Sequence, residues 1–308
     1  MSNVIIVVTQ VVIMFGLIGT GFLAVKVRWL KREGVRDLNN ILLYVILPAV
    51  ILNLLNTPYL PEHTTNLLIA LALAVVCHLL AIIVSKFAFR RQAADRQAVL
   101  RSATVLSNSA FMAIPLVNAQ AGKTATLYLI PYLVVFYVVT WTFGVRIMEK
   151  SKTKPSLGEL LTNPTLIAVA VGLVIYAADL TLPGPVSDMI RLLSDTNAPF
   201  AMILIGAQIA LMKPRIFPPK AVWLQILLRN ILIPLAMLPI IMTVTDQPAL
   251  IYATLIPAAA PTAATVVLFA TRFDGDIRLA AETMAHSTLL SVISLTGMTF
   301  LADWLIRL

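Results

Sequence analysis

The sequence predicts an all-α polytopic membrane protein with ten transmembrane helices, arranged as two inverted five-helix repeats. Hydrophobic residues make up 59% of the 308-residue chain and charged residues only 12%, whereas a soluble domain carries about 25% charged residues. The apolar residues fall into ten stretches, and the cations concentrate in alternate connections between them. Because a helix needs about 20 apolar residues to cross a bilayer, the chain has room for roughly ten spans and for no large soluble domain.

The ten apolar stretches follow one another with short polar connections. They comprise residues 4–25, 38–55, 67–85, 102–121, 125–145, 164–178, 198–212, 221–244, 249–271 and 279–301. Each is predicted to be a helix, because a helix satisfies its own backbone polar groups in hydrocarbon. A basic segment follows the first stretch, with no small-residue cleavage site, so we expect a span there and not a removable signal peptide. The sixth and seventh are short, so their ends are expected to use flanking polar residues such as Asn163 and Asn197 or to be shielded by protein.

The charges of the connections predict the orientation in the membrane. Of the 23 Lys and Arg residues, all but Lys123, Arg191, Arg229 and Arg307 lie in the connections after odd-numbered stretches. The positive-inside rule makes these connections cytoplasmic and places both termini outside. The net charge of +9 therefore reflects topology and does not indicate a nucleic-acid partner.

The longest cytoplasmic connection divides the chain into two halves. Residues 1–149 form the first five-helix repeat, residues 150–163 a linker, and residues 164–308 the second repeat, which is inverted because five is odd. The fourth span of the first half contains Pro115, and that of the second half contains Pro257 and Pro261. Proline removes a backbone donor and blocks the hydrogen bond four residues back. Interrupted helices at corresponding places predict a binding site near the membrane midplane.

The polar residues beside these prolines are the candidate substrate-binding residues. Asn108 and Pro115 lie in the fourth span, and Pro261, Thr262 and Thr265 lie in the ninth. Amides, hydroxyls and the N-termini of half-helices together favour an anion. The alternative is that proline and small residues only bend the helices or allow them to pack closely.

Arg229 is the one cation inside a predicted span. It lies about nine residues into the eighth stretch, ~13 Å deep at 1.5 Å per residue. A guanidinium at that depth is costly, so it should face a cavity, an acid or a carboxylate substrate, which it can hold by two parallel hydrogen bonds. The alternative is a structural arginine bonded to backbone carbonyls of the broken helices.

Three further residues are candidates for proton coupling. Glu282 and His286 share one helix face at the start of the tenth span, and His titrates near physiological pH. His78 lies deeper, in the third span. The alternatives are a solvated helix end for the first pair, and a neutral imidazole bonded to a carbonyl for His78.

Several functional classes lack their sequence signatures. The single cysteine, Cys77, provides neither a disulfide framework nor a CxxC metal or redox site. The HExxH, GxSxG and Walker A motifs are absent. We therefore expect no enzyme, no cofactor, no bound metal and no nucleotide-driven pump.

The chain resembles the auxin efflux carrier family, which includes the plant PIN-FORMED exporters and bacterial malonate and malate carriers. LSNSAFMAIPL is similar to the family's Pro-Asn and Met-Gly-Ile-Pro-Leu segment, with Asn108 and Pro115 on its asparagine and second proline. AAAPTAATVVLFATRF resembles the family's Pro-Gln stretch, with Pro261 on the proline and Thr262 in place of the glutamine. TNPTLIAVAVGL, LRNILIPLAM with Arg229 on a basic position, IGAQIALMKPRI and LPAVIL add further similarity.

The resemblance implies a fold shared with bile-acid sodium symporters, in which two crossing broken helices hold an organic anion. It also implies a homodimer formed through spans one, two, six and seven, in the inner membrane of a bacterium. The expected function is secondary transport of small organic anions, such as malonate, malate or auxin-like acids, by alternating access. There are three alternatives: a sodium-coupled symporter of a bile-acid-like substrate, a non-transporting anion receptor and an intramembrane enzyme.

Overall fold

The computed structural model describes residues 3–149, 158, 162, 164–212 and 214–307. Within these ranges the chain is helical, with one isolated pairing of extended residues. We number the helices in chain order. They are α1 (Asn3–Lys26), α2 (Arg32–Leu55), α3 (Pro61–Ala88), α4 (Ala94–Val105), α5 (Ser109–Met148), α6 (Pro164–Ala177), α7 (Gly184–Asp195), α8 (Asn197–Met212), α9 (Lys220–Val244), α10 (Pro248–Ala259), α11 (Thr265–Arg272) and α12 (Ile277–Ile306).

Among the residues that the structure describes, seven segments are long and apolar enough to cross a membrane, so the protein is a multi-pass membrane protein. They are Val8–Lys26, α2, α3, α5, Gly184–Met212, α9 and α12, and the shorter apolar helices are α6 and α10. The all-helical prediction is confirmed in the described ranges. The count of ten spans and their inverted arrangement stay a prediction, and the 150–163 linker with Asn163 lies almost wholly outside the described residues.

Two of the predicted spans join into one long helix. α5 covers 40 residues, more than one crossing needs, and its backbone breaks at Gly122, where φ is +74°. That conformation favours glycine, because a side chain there would clash with the backbone. Gly122 therefore marks the place where the fourth and fifth apolar stretches meet.

The chain divides into two compact units. One comprises Val12–Leu68 and Ser156–Leu211. Within it, α1 packs directly on α8, because a Cβ added to Gly21 would lie 1.8 Å from the Ile203 carbonyl oxygen. Elsewhere in this unit, the side-chain amide of Asn53 in α2 donates to the Ser194 hydroxyl at 3.3 Å, and that of Asn56, just after α2, donates to the Ser187 hydroxyl at 2.9 Å. Both serines belong to α7.

The other unit comprises Met1–Val11, Ile69–Pro155 and Met212–Leu308, and it contains the candidate site. Its core lies where α10 packs on α5, with Leu129, Leu133 and Leu255 at most 1% exposed. Proline begins α10, where a missing N–H costs nothing. The Asp276 carboxylate accepts from the Leu279 N–H at 2.9 Å and caps the start of α12.

The fourth apolar stretch differs from its predicted form. The helix begins at Ala94, ahead of residue 102, and ends at Val105, and a second helix begins at Ser109. The interruption therefore lies at 106–108 and not at Pro115, which lies inside the second helix. A wide π-turn at Ser109–Ala113 ends just before Pro115, and such turns accommodate a proline without ending the helix. The ninth stretch is interrupted at 260–264, which includes Pro261 as predicted.

Candidate functional site

The two interrupted helices pair with each other at their breaks. The Asn108 N–H donates to the Pro261 carbonyl at 2.7 Å, and the Ala263 N–H donates to the Leu106 carbonyl at 2.9 Å. Ser107 and Thr262 thus lie opposite each other in a two-residue antiparallel pairing. Each break satisfies part of the other's backbone, which is what allows non-helical chain to persist inside a membrane protein.

The pairing leaves particular carbonyls without their helical partners. Pro261 has no N–H, so the Pro257 carbonyl four residues earlier cannot form its helical hydrogen bond. The Asn108 N–H is used across the breaks, so the Thr104 carbonyl loses its partner as well. Buried carbonyls in this state need other donors.

Arg229 of α9 supplies those donors. Its Nη2 donates to the Pro257 carbonyl at 3.0 Å, its Nη1 to the Thr104 carbonyl at 3.3 Å and its Nε to the Ala260 carbonyl at 3.1 Å. The side chain is 0% exposed. The Arg229 side chain therefore joins the C-terminal ends of α4 and α10. This is the arrangement of a structural arginine bonded to backbone carbonyls, the alternative given above for Arg229.

Gln225 lies one turn before Arg229 and satisfies the next carbonyl. Its Nε2 donates to the Ala103 carbonyl at 3.0 Å and to the Thr262 hydroxyl at 3.1 Å. The Thr262 hydroxyl itself donates to the Ala103 carbonyl at 3.1 Å. The Thr262 hydroxyl is thus already engaged as donor and acceptor.

Two more side chains hold the backbone of Thr262. Its N–H donates to the Ser287 hydroxyl at 3.0 Å, and that hydroxyl donates to the Asn230 Oδ1 at 2.8 Å. The Asn230 Nδ2 returns to the Ser287 carbonyl at 2.9 Å. All three residues are at most 1% exposed, so this chain links α9, the ninth-stretch break and α12 in a closed network.

Other polar groups at the two breaks have no such partners. The hydroxyls of Ser107, Ser109 and Thr265 are buried and form no hydrogen bond with any residue that the structure describes. Asn108, 4% exposed, precedes the second half-helix, and its side chain makes no capping bond. The first N–H groups of a helix have no partner within it and carry partial positive charge. The two breaks therefore offer donors suited to a small acceptor-rich anion.

The predicted coupling residue Glu282 lies in an ion-pair cluster at the start of α12. Its carboxylate is 0% exposed, and Oε1 lies 2.7 Å from Arg215 Nε and 3.7 Å from Arg278 Nε. The two arginines are about half exposed or more. The alternative of a solvated helix end therefore does not describe the Glu282 carboxylate, because the two arginines cover it.

His286 completes this cluster. Its Nδ1 lies 2.9 Å from the Glu282 carbonyl and its Nε2 lies 3.3 Å from the Ile216 carbonyl. Carbonyls only accept, and a neutral imidazole carries one N–H, so only the charged ring donates to both. The contact to the Ile216 carbonyl ties residues 214–219 to α12.

His78 lies apart from that cluster, within α3. Its Nδ1 donates to the Ala74 carbonyl at 2.8 Å, and its ring lies 4.9 Å from the ring of Tyr132. This contact matches the alternative given above for His78, a neutral imidazole bonded to a backbone carbonyl.

Sequence reasoning missed Gln225, Asn230 and Ser287. The available signal was the spacing of Gln225, Arg229 and Asn230 in an otherwise apolar span, since Gln225 and Arg229 are four residues apart and share a helix face. Nothing in the sequence indicated which carbonyls they meet.

Comparison with known proteins identifies the family of the chain. A family model described as Membrane transport protein matches residues 6–159 and 153–299. The chain therefore belongs to this family, and the family resemblance predicted from the motifs is confirmed.

One relative is similar over nearly its whole length. A protein of Rhizobium meliloti (strain 1021) named "Putative malonate transporter" is 24% identical over 303 residues, and the match covers 93% of each chain. The names of the family and of this relative describe transporters and not enzymes.

Proposed function

We propose that the protein is a secondary transporter of small organic anions, in the first place mono- or dicarboxylates such as malonate or malate, and that it works by alternating access. The observation that carries the proposal is the set of buried donors without partners at the two breaks. A carboxylate is rich in acceptors and carries the charge that half-helix N-termini favour. The family supports transport, and the name of the relative supports a dicarboxylate as substrate.

The residues at the breaks take different roles in this proposal. Asn108, Ser107 and Thr265 donate hydrogen bonds to the substrate. Pro261 keeps the ninth stretch open, and Thr262 holds the two breaks together through the bonds described above. Arg229 contributes positive potential from behind the breaks without touching the anion. Pro115 shapes the second half-helix and makes no contact with the substrate.

The finer architecture is part of the same proposal. We place ten spans in two inverted repeats of residues 1–149 and 164–308, with both termini outside and the protein in a bacterial inner membrane. The support is the distribution of the cations and the corresponding interruptions at 106–108 and 260–264. A homodimer follows only from the resemblance, and a crosslinking experiment in the membrane tests it.

Uptake into liposomes tests the transport function. The purified protein is reconstituted and offered labelled malonate, malate, succinate and indole-3-acetate under separate voltage, proton and sodium gradients. We expect saturable uptake of at least one carboxylate. Ligand binding without flux would instead favour the receptor, and uptake that follows only an imposed sodium gradient would favour the sodium-coupled symporter.

Asn108→Ala tests the site itself. Loss of a hydrogen bond to a charged group costs about 1.5–3 kcal/mol, so the half-saturating concentration should rise about tenfold or more. Asn118→Ala is the matched control, because Asn118 is an exposed asparagine of α5, the helix that Asn108 precedes. Unchanged uptake by a folded Asn108→Ala protein would remove Asn108 from the site.

A further inference from the structure

The carbonyls that Arg229 contacts form a cation site. They belong to Thr104, Pro257 and Ala260, at the C-terminal ends of the first half-helices, α4 and α10. A helix C-terminus carries partial negative charge. In transporters with discontinuous helices, such ends and unwound carbonyls coordinate the coupling cation.

The guanidinium matches this site in shape as well as charge. Each of its three nitrogens donates to a different carbonyl, at 3.0 to 3.3 Å. No carboxylate in the described part of the chain pairs with Arg229. Carbonyl dipoles balance the buried charge, as they would balance a bound alkali cation.

We propose that Arg229 is a tethered cation that permanently occupies the place of a coupling ion. Transport then needs no sodium or potassium ion, because the charge that holds the two breaks together is covalently attached. Removing the side chain opens a site for a small cation of guanidinium or alkali type. The transport part of this inference rests on the proposed function, whereas the cation site does not.

Thermal unfolding of the purified protein tests the cation site without any substrate. Arg229→Ala should lower the unfolding midpoint by at least about 6 °C, because three buried carbonyls lose their donors. Millimolar guanidinium should raise the midpoint of this variant saturably, as binding linkage requires. Choline at the same ionic strength should not, since it has no N–H donor and is too large.

Matched variants separate a cation site from a general effect of charge. Arg191→Ala removes an arginine that is 56% exposed and pairs with the exposed Asp188 carboxylate, so neither the substitution nor added guanidinium should move the midpoint. Arg229→Lys keeps a tethered charge and should stay insensitive to sodium and potassium. The wild type should be insensitive to all of these cations.

The results that overturn the proposal are equally specific. They are a wild type or an Arg229→Lys protein stabilised by sodium or potassium, or a folded Arg229→Ala protein that neither guanidinium nor an alkali cation stabilises. If Arg229→Ala does not fold, the response of the wild type and of Arg229→Lys to sodium and potassium still tests the proposal. In liposomes, Arg229→Ala should regain uptake only with guanidinium or an alkali cation. Absence of carboxylate flux in the wild type would refute the proposed function and leave the thermal result standing.

Discussion

Replacing Gly21 or Gly206 should weaken the contact between α1 and α8 by a predictable amount. A Cβ at Gly21 would lie 1.8 Å from the Ile203 carbonyl oxygen, and a Cβ at Gly206 would lie 1.8 Å from the Ile18 carbonyl oxygen. Ordinary van der Waals contact begins at 3.4 Å, so the two backbones must move apart by about 1.6 Å. Packed helix axes are usually 8–10 Å apart, so this shift is most of the whole usual range. Both obstacles are backbone atoms, which cannot rotate away.

The cost follows from this geometry. Overpacking costs about 1–3 kcal/mol, and backbone obstacles place Gly21→Ala and Gly206→Ala at the upper end. At roughly 2–4 °C per kcal/mol, each should lower the thermal midpoint of the detergent-solubilised protein by about 5–10 °C. The double variant should lose little more than either single variant, because one separation of the helices relieves both clashes.

Glycines elsewhere on α1 provide the control. Cβ atoms added at Gly16 and Gly19 meet nothing within 4 Å, so alanine there should leave the midpoint unchanged or raise it, since alanine favours a helix over glycine by up to about 1 kcal/mol. A Gly21→Ala protein as stable as Gly16→Ala would refute the reasoning. Fully additive losses in the double variant would show that the two contacts do not share one separation.

The remaining predictions concern the network at the breaks and the cluster on α12. Ser287→Ala removes the acceptor of the Thr262 N–H, and a buried unsatisfied group costs about 1–3 kcal/mol, so the midpoint should fall. Ser291→Ala should not have this effect, because that hydroxyl bonds only within its own helix, and equal losses would contradict the network. His286→Gln should flatten the pH dependence of uptake, because only a ring protonated on both nitrogens can donate to the Glu282 and Ile216 carbonyls together. Glu282→Gln should do the same, because it removes the carboxylate charge that pairs with Arg215. A pH profile identical to that of the wild type would discard proton coupling at this pair.

The hydrophobic pattern predicted the helices well, for a physical reason. In hydrocarbon, backbone groups must be satisfied within the segment, so long apolar stretches have few alternatives to a helix. Pro261 likewise predicted its own interruption, because a proline always removes one donor. The family motifs around Asn108 and Pro261 also led to the correct family.

The position of the first interruption could not be predicted in the same way. Pro115 predicted a break, but the helix continues through Pro115 because a π-turn lies just before it. The observed break at 106–108 contains no proline. It is stabilised by hydrogen bonds to the other break, 155 residues away in the case of Ser107 and Thr262. A local sequence pattern carries no information about a partner so far along the chain.

The sequence by itself determined that this chain is a multi-pass helical protein of a transport family, with polar residues where spans are interrupted. Only the tertiary structure decided what those residues do. The roles of Arg229 and Thr262 depend on which carbonyls lose their helical partners, and that depends on how the two breaks pair. Hydrophobicity and proline act locally and can be read along the chain. The satisfaction of a buried polar group is set by whichever atoms folding brings next to it.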